Sequence, residues 1–357
     1  MKTRRKLFSK KDFKELAIEK PVLAQIELTR NCNQFCKFCF RRLKGGKYSE
    51  VKVEKWNNLI PKLFKLGISK INLSGGEILL YKDLLSFLQF SKKANFQITL
   101  NTNGTYSLKP YLRYLDEIVF SIHGLGSLHD EIVGLAGAFN LIEKHLSEII
   151  RSKKAILINV VVIKKNFPFL KEIYDYFSKK YPLVKSYSFQ IGIRPFGSLD
   201  NNTFLSLDKK TFRDYVRFLK MIPEKKLIYR HGLGPLISKE SYSDPQYLYL
   251  PACAAGKYKF LITYNGDVYP CNFFTSKDYY CGNVFRDDLK EIWKNGKGFR
   301  PFREMFLKEK VPQKCNFCEK KGFCFGGCRA WTKSYFVKGF TLERDKRCDY
   351  RDSHIGD

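Results

Sequence analysis

Asn31-Cys32-Asn33-Gln34-Phe35-Cys36-Lys37-Phe38-Cys39-Phe40 is the stretch that decides the fold of this 357-residue chain. Three thiols in one short loop suit a cubane iron–sulfur cluster, which needs soft sulfur donors held close together. Three rather than four leave one iron open to another ligand, and an open iron is a reaction site. Disulfides fit these residues poorly. The cysteine count is eleven, an odd number, and no apolar secretory run precedes Cys32. Zinc fits poorly as well, because no fourth Cys or His lies near the triplet.

Upstream and downstream of this loop the chain alternates strand-like and helix-like segments. Strands are expected at Ala24–Thr29, Ile68–Leu73, Phe96–Leu100, Glu117–Ile122, Ile156–Ile163 and Ser186–Ile191. Trp56, Leu59, Ile60, Leu63 and Phe64 recur at helical spacing and stop at Gly67, a suitable C-cap, with a kink expected at Pro61. Helical patterns also cover Leu84–Phe90, Ala138–Ile150 and Phe169–Phe177. Six β/α units in series imply parallel strands with right-handed crossovers. Active residues in such a sheet gather at the carboxyl ends of the strands. The cysteine triplet, directly after the first strand, is in that place.

Composition bounds the function classes. With 44% hydrophobic and 15% aromatic residues the chain can bury a large core and is no disordered polymer. The net charge of +30 comes from scattered lysines such as Lys62, Lys65, Lys70, Lys92 and Lys109. With no basic tail and no RNA-binding motif, it reads as a solvated surface rather than a nucleic-acid site. No run reaches the roughly 18 apolar residues of a membrane span. A cytoplasmic location is expected.

The triplet and its surroundings resemble the radical S-adenosylmethionine (SAM) enzymes. Phe38 stands at the family's bulky position beside the SAM adenine. Leu73-Ser74-Gly75-Gly76-Glu77 is similar to the Gly-Gly-Glu segment that contacts the SAM amino group. Asn101-Thr102-Asn103-Gly104-Thr105 and Ser121-Ile122-His123-Gly124 close the third and fourth strands as in the family. The resemblance implies a partial (β/α)6 TIM-type barrel in the α/β class, with Phe38, Gly75, Gly76, Glu77, Asn103 and Ser121 as SAM contacts. It also implies reductive cleavage of SAM to a 5′-deoxyadenosyl radical that abstracts a substrate hydrogen. Two departures stand out. Val133 replaces an arginine that relatives use on SAM, so that contact is not carried over. His123 replaces a more usual aspartate; it is either a proton-transfer group or a hydrogen-bonded structural histidine.

The carboxyl-terminal cysteines are equally ordered. Cys253 is followed by twelve residues, Gly266, four residues and Cys271; then come Cys315, Cys318, Cys324, Cys328 and Cys348. This array resembles the SPASM extension, a small cysteine-rich α+β domain with two auxiliary [4Fe–4S] clusters. The resemblance implies Cys315, Cys318, Cys324 and Cys348 as ligands of one, and Cys253, Cys271 and Cys328 as three ligands of the other. Cys281 either closes the second set or is an ordinary buried thiol. The expected organisation is an amino-terminal segment 1–23, a barrel 24–195, a connector 196–250 and the SPASM domain 251–357. The connector and its approach, with Arg194 and Pro195 just before it and Gly197, Gly232 and Gly234 within it, are expected to shape the substrate entrance.

The SPASM extension is frequent in enzymes that cross-link or oxidise ribosomally made peptides, so a peptide substrate is expected. The first alternative is oxidation of a small molecule in cofactor or haem-type biosynthesis; the second is a non-catalytic electron carrier, for which a SAM pocket would have no use. The segment Val268–Phe274 resembles sulfatase maturases locally, but Asn272 stands where they carry a catalytic aspartate. An amide cannot take up the proton as a carboxylate does, and that activity is set aside. A flavodoxin- or ferredoxin-type reductant is implied. Only about two dozen residues precede the first strand, too few for a folded leader-binding module, so a peptide is expected to be recognised either by a separate leader-recognition protein or through the barrel and the connector.

Overall fold

The computed structural model describes residues 19–39, 48–193, 202–205, 208–228, 253–336 and 342–348. Arg194, Pro195, Gly197, Gly232 and Gly234 lie outside them. Six strands follow in order: β1 (Leu23–Glu27), β2 (Lys70–Ser74), β3 (Gln97–Thr102), β4 (Glu117–Ser121), β5 (Ala155–Val162) and β6 (Ser186–Ile191). Each pairs in parallel with the next. One face of the strands, with Ala24, Ile26, Ile71, Leu73, Ile98 and Leu100, is apolar and buried; the alternate positions are largely polar, and Gln25, Ser74, Asn101, Ser121 and Gln190 among them line a cavity.

The first helix, α1 (Val53–Leu66), buries Val53, Trp56, Leu59, Ile60 and Leu63 on one face. It ends at Gly67, whose φ of 100° is left-handed and whose N–H caps the carbonyls of Leu63 and Phe64. The helix runs continuously through Pro61. Helices α2 (Leu84–Lys93), α3 (Gly126–Val133), α4 (Ala138–Ile149) and α5 (Leu170–Lys180) fill the remaining crossovers.

The sheet does not stop at β1. Strand β7 (Lys259–Ile262) pairs with β1 in parallel, and β8 (Asp267–Tyr269) and β9 (Gly282–Asn283) continue antiparallel. One nine-stranded sheet results, in the order β6-β5-β4-β3-β2-β1-β7-β8-β9. The cysteine-rich region is thereby joined to the barrel edge by backbone hydrogen bonds, and its first strand lies beside the strand that leads into Cys32. No helix among the described residues is long and apolar enough to cross a membrane.

Candidate functional site

All six barrel strands deliver residues to one open cavity of about 630 Å³. Cys32, Cys36, Cys39 and Phe38 wall it after β1. Gly75, Gly76 and Glu77 follow β2, Asn103 follows β3, Ser121 ends β4 and His123 comes just after it. Every barrel-side residue expected from the sequence to bind or act is therefore in one space, at the carboxyl ends of the strands.

The cysteine loop is held from two sides. The Phe35 N–H donates to the Val133 carbonyl at 2.6 Å, and the Lys37 N–H to the Ile132 carbonyl at 3.3 Å, both at the end of α3. Val133 itself is fully buried, and its carbonyl is one of the two that seat the cysteine loop. On the other side Asn103 Nδ2 donates to Asn33 Oδ1 at 2.8 Å, and Asn33 Nδ2 to Thr105 Oγ1 at 2.9 Å. Within the loop the Cys39 N–H closes a turn on the Cys36 carbonyl at 3.1 Å. Cys32 opens to solvent through the cavity, yet enough protein surrounds it that burial, with the Glu77 and Cys39 charges, pushes its thiol up.

The two glycines after β2 have a reason that periodicity does not reveal. A Cβ at Gly75, whose φ is 141°, would strike the Thr29 carbonyl, and one at Gly76 would strike the Asn31 carbonyl. The Gly76 N–H in turn donates to the Thr29 carbonyl at 2.9 Å, and the Glu77 N–H to that of Asn31 at 2.8 Å. The space a side chain would need is filled by the backbone leading into Cys32. Close approach is needed first by the protein itself.

Glu77 is buried and ties β2 to β3. Its carboxylate accepts from Asn103 N at 2.7 Å, Thr102 Oγ1 at 2.8 Å and Leu79 N at 3.2 Å. Burial outweighs these donors and raises it to about 7. His123 is nearly sealed from solvent. Its Nδ1 accepts from the Val161 N–H at 3.1 Å, and its carbonyl accepts from Asn166 Nδ2 at 2.8 Å. Burial and the neighbouring His129 hold its pKa well below the usual histidine range. With Nδ1 an acceptor, the ring is neutral with its proton on Nε2. Phe38 meets the ring edge-on at 4.7 Å.

Sequence reasoning missed several lining residues. Gln25 on β1 and Gln190 on β6 reach the cavity from within strands, where nothing in the pattern marks them. Arg30 also lines it, stacked 5.1 Å from the Tyr48 ring and 4.8 Å from the Tyr264 ring. Asn272 and Phe273 enter from the region after β8. They follow Cys271 directly in the chain.

Those cysteines sort into two groups. Cys253 acts electrostatically on both Cys271 and Cys328. Cys324 feels Cys348, Cys315 and Cys318, with Asp345 the strongest charge on it. Burial leads the causes in both groups and raises Cys324 and Cys328 to about 12. Cys281 joins neither group. The charge acting on it is Arg303, its thiol donates to the Tyr279 carbonyl at 3.5 Å, and Gly296 packs against its Cβ.

Among the described residues no three ligand-type side chains are gathered closely enough for one metal ion. A cubane spreads its thiolates farther, because each sits on a different iron. The donor chemistry fits such a cluster. Sulfur donors face one another in buried groups, where thiolates form only if cationic metal accompanies them. A buried ammonium, Lys257 Nζ, has no partner beside Cys253.

The comparisons with known proteins agree with this arrangement. The radical SAM superfamily signature matches residues 26–174. That of the SPASM iron–sulfur cluster-binding domain matches residues 253–319. An AdoMet-dependent heme synthase of Methanosarcina barkeri is 26% identical, over 93% of this chain and 97% of its own length. The antilisterial bacteriocin subtilosin biosynthesis protein AlbA of Bacillus subtilis is 26% identical, over 86% of this chain and 67% of its own. The structure of native anSMEcpe with AdoMet and a peptide bound superposes with a TM-score of 0.73 at 20% identity, covering 93% of this chain and 95% of that one. The protein is an enzyme whose cofactors are [4Fe–4S] clusters and SAM. A six-stranded partial barrel, a thiol loop at its mouth and a second cysteine array joined edge to edge make this chain a member of the radical SAM superfamily with a SPASM domain.

Proposed function

We propose that this enzyme modifies a ribosomally made peptide, cross-linking or oxidising it after hydrogen abstraction. The observation that carries the reading is the shared cavity. Its one wall is the Cys32–Cys39 loop with Gly75-Gly76-Glu77, and its other wall is Asn272 and Phe273, next to Cys271. A substrate placed there faces both the radical-generating site and an auxiliary site. The bacteriocin-biosynthesis relative and the peptide-bound structure support a peptide rather than a free small molecule.

In this reading Cys32, Cys36 and Cys39 hold the SAM-binding cluster. That cluster, reduced and carrying SAM, supplies one-electron cleavage of a carbon–sulfur bond. Phe38 packs by the adenine; Gly75, Gly76 and Glu77 receive the amino group; Asn103 and Ser121 border the same ligand. Cys315, Cys318, Cys324 and Cys348 hold one auxiliary cluster, and Cys253, Cys271 and Cys328 supply three ligands to the other; Cys281, whose thiol donates to the Tyr279 carbonyl, is a packed thiol. His123 orders the strand ends and presents a neutral N–H. The neutral Asn272 amide supports setting sulfatase maturation aside. The chain divides into a barrel at 24–195, a connector at 196–250 and a SPASM domain at 251–357, works in the cytoplasm, and draws electrons from a flavodoxin- or ferredoxin-type protein. A separate leader-recognition protein presents the peptide.

A second reading, oxidation of a small molecule in haem-type biosynthesis, is favoured by the Methanosarcina barkeri relative, which this chain covers almost end to end. One experiment separates them. The anaerobically reconstituted and reduced enzyme is given SAM with the peptide encoded beside its gene, or with an iron porphyrin precursor. A 5′-deoxyadenosine yield stimulated by the peptide, with loss of two hydrogens from the peptide mass, supports the first. Stimulation by the porphyrin alone overturns it.

A further inference from the structure

Lys257 is fully buried, and its Nζ makes no hydrogen bond among the described residues. A turn closed by the Lys257 N–H on the Ala254 carbonyl at 3.1 Å folds it back toward Cys253. Its ammonium stands 5.5 Å from the Phe306 ring, an apolar neighbour. An ammonium without a counter-ion is costly to bury, and burial accordingly lowers the pKa of Lys257. The other buried cations nearby have acceptors. Arg329 donates to the carbonyls of Gly326, Gly327 and Glu343, and Arg347 grips the Asp345 carboxylate at 2.9 and 2.6 Å. Two charges act on Lys257: Cys253, which favours its ammonium form, and Arg329, which opposes it.

The two thiol groups stand in unlike electrostatic surroundings. In the Cys253 group each cysteine has a cation acting on it: Lys257 on Cys253, Lys259 on Cys271 and Arg347 on Cys328, with Asp345 a weaker opposing charge on the last. In the other group the leading charge on Cys324 is the Asp345 carboxylate, followed by its fellow thiols.

We propose that Lys257 is the counter-charge of an iron–sulfur cluster held by Cys253, Cys271 and Cys328, and that it gives this cluster a higher reduction potential than the cluster of Cys315, Cys318, Cys324 and Cys348. Reduction adds a negative charge, which adjacent cations favour and an adjacent carboxylate opposes. The proposal rests on the cysteine assignment under the proposed function. Asn272 and Phe273 put the higher-potential site beside the cavity. An electron released when a substrate radical closes a bond, with one proton lost to solvent, is therefore held next to the cavity until the oxidised form of the flavodoxin- or ferredoxin-type carrier accepts it.

The test is an anaerobic redox titration followed by electron paramagnetic resonance, in full-length protein carrying Cys32, Cys36 and Cys39→Ala so that only auxiliary signals remain. The expected result is two waves. In Lys257→Met the higher one moves negative by about tenfold in its reduction equilibrium, ~59 mV for one electron, with iron content unchanged. Lys257→Arg, which keeps the charge, leaves it in place. Unmoved waves in Lys257→Met, or movement of the lower wave, overturn the proposal. Loss of about four irons in both variants assigns Lys257 a structural role instead and also overturns it. A parent protein with no auxiliary iron defeats the cysteine assignment itself, a failure visible before any Lys257 variant is made.

Discussion

The cysteine loop of the barrel mouth and the cysteine-rich carboxyl-terminal region assemble their sulfur donors by different routes. In the loop, Cys32, Cys36 and Cys39 lie within eight consecutive positions, and the backbone only has to turn once, at the Cys36–Cys39 hydrogen bond. In the carboxyl-terminal region Cys253 is brought to Cys328, and Cys348 to Cys324, across long stretches of chain. The loop is open to the cavity and seated by α3 and the β3 end, whereas the carboxyl-terminal groups are largely buried beside charged neighbours. A site that must admit a ligand is built locally at a strand end. Sites shielded from solvent are built by packing.

The largest expected effect separates the two regions outright. Replacing Cys32, Cys36 and Cys39 with Ala abolishes 5′-deoxyadenosine formation while about eight of about twelve irons remain, measured by iron assay and chromatography of the product. Loss of all iron would show that the regions do not assemble independently.

Next in size, Cys324→Ala and Cys328→Ala each lose about four irons, and the double variant about eight. Their adjacency in sequence makes this a sharp test of interleaving: if the double variant loses only four, the two cysteines serve one site.

Within the loop region, Glu77 brings pH dependence. Burial raises its carboxyl to about 7, so it is protonated well below that pH and ionised above it. The ionised form is the better acceptor for the SAM amino group. SAM affinity should rise by about tenfold between pH 6 and 8, and Glu77→Gln should flatten the profile in equilibrium dialysis. For folding the sign is opposite: whatever stability the protonated form contributes is fully present below the ordinary glutamate range and lost as pH rises through 7.

The smallest effect concerns Cys281. Cys281→Ala keeps full iron and costs about 1 kcal/mol of stability, read by thermal unfolding. Loss of four irons would return it to the ligand set.

Much of the barrel was legible because parallel strands are short apolar runs and helices repeat at 3.6 residues. Ser186–Ile191 forms over the expected span, and Gly67 caps α1 in the left-handed conformation. Other boundaries shifted by one to three residues, as at β2, which begins at Lys70 rather than Ile68. Pro61 does not end α1, which runs on to Leu66. The cavity residues Arg30, Gln25 and Gln190 were not legible, since a polar residue in a half-exposed strand or loop carries no local mark of what it faces. The glycines after β2 were identified, but their steric cause, the Thr29 and Asn31 carbonyls, lies more than forty positions earlier.

Spacing alone determined the cubane-type triplet, the serial β/α rhythm and the placement of chemistry at strand ends, because each depends on near neighbours in the chain. Tertiary structure alone decided that β7 docks on β1, that Asn272 and Phe273 share a cavity with Cys32, that Cys281 packs beside Gly296 with Arg303 acting on it, and that Lys257 is buried without a hydrogen bond among the described residues. Those are relations between distant segments, and they are set by which surfaces pack and which charges are buried together.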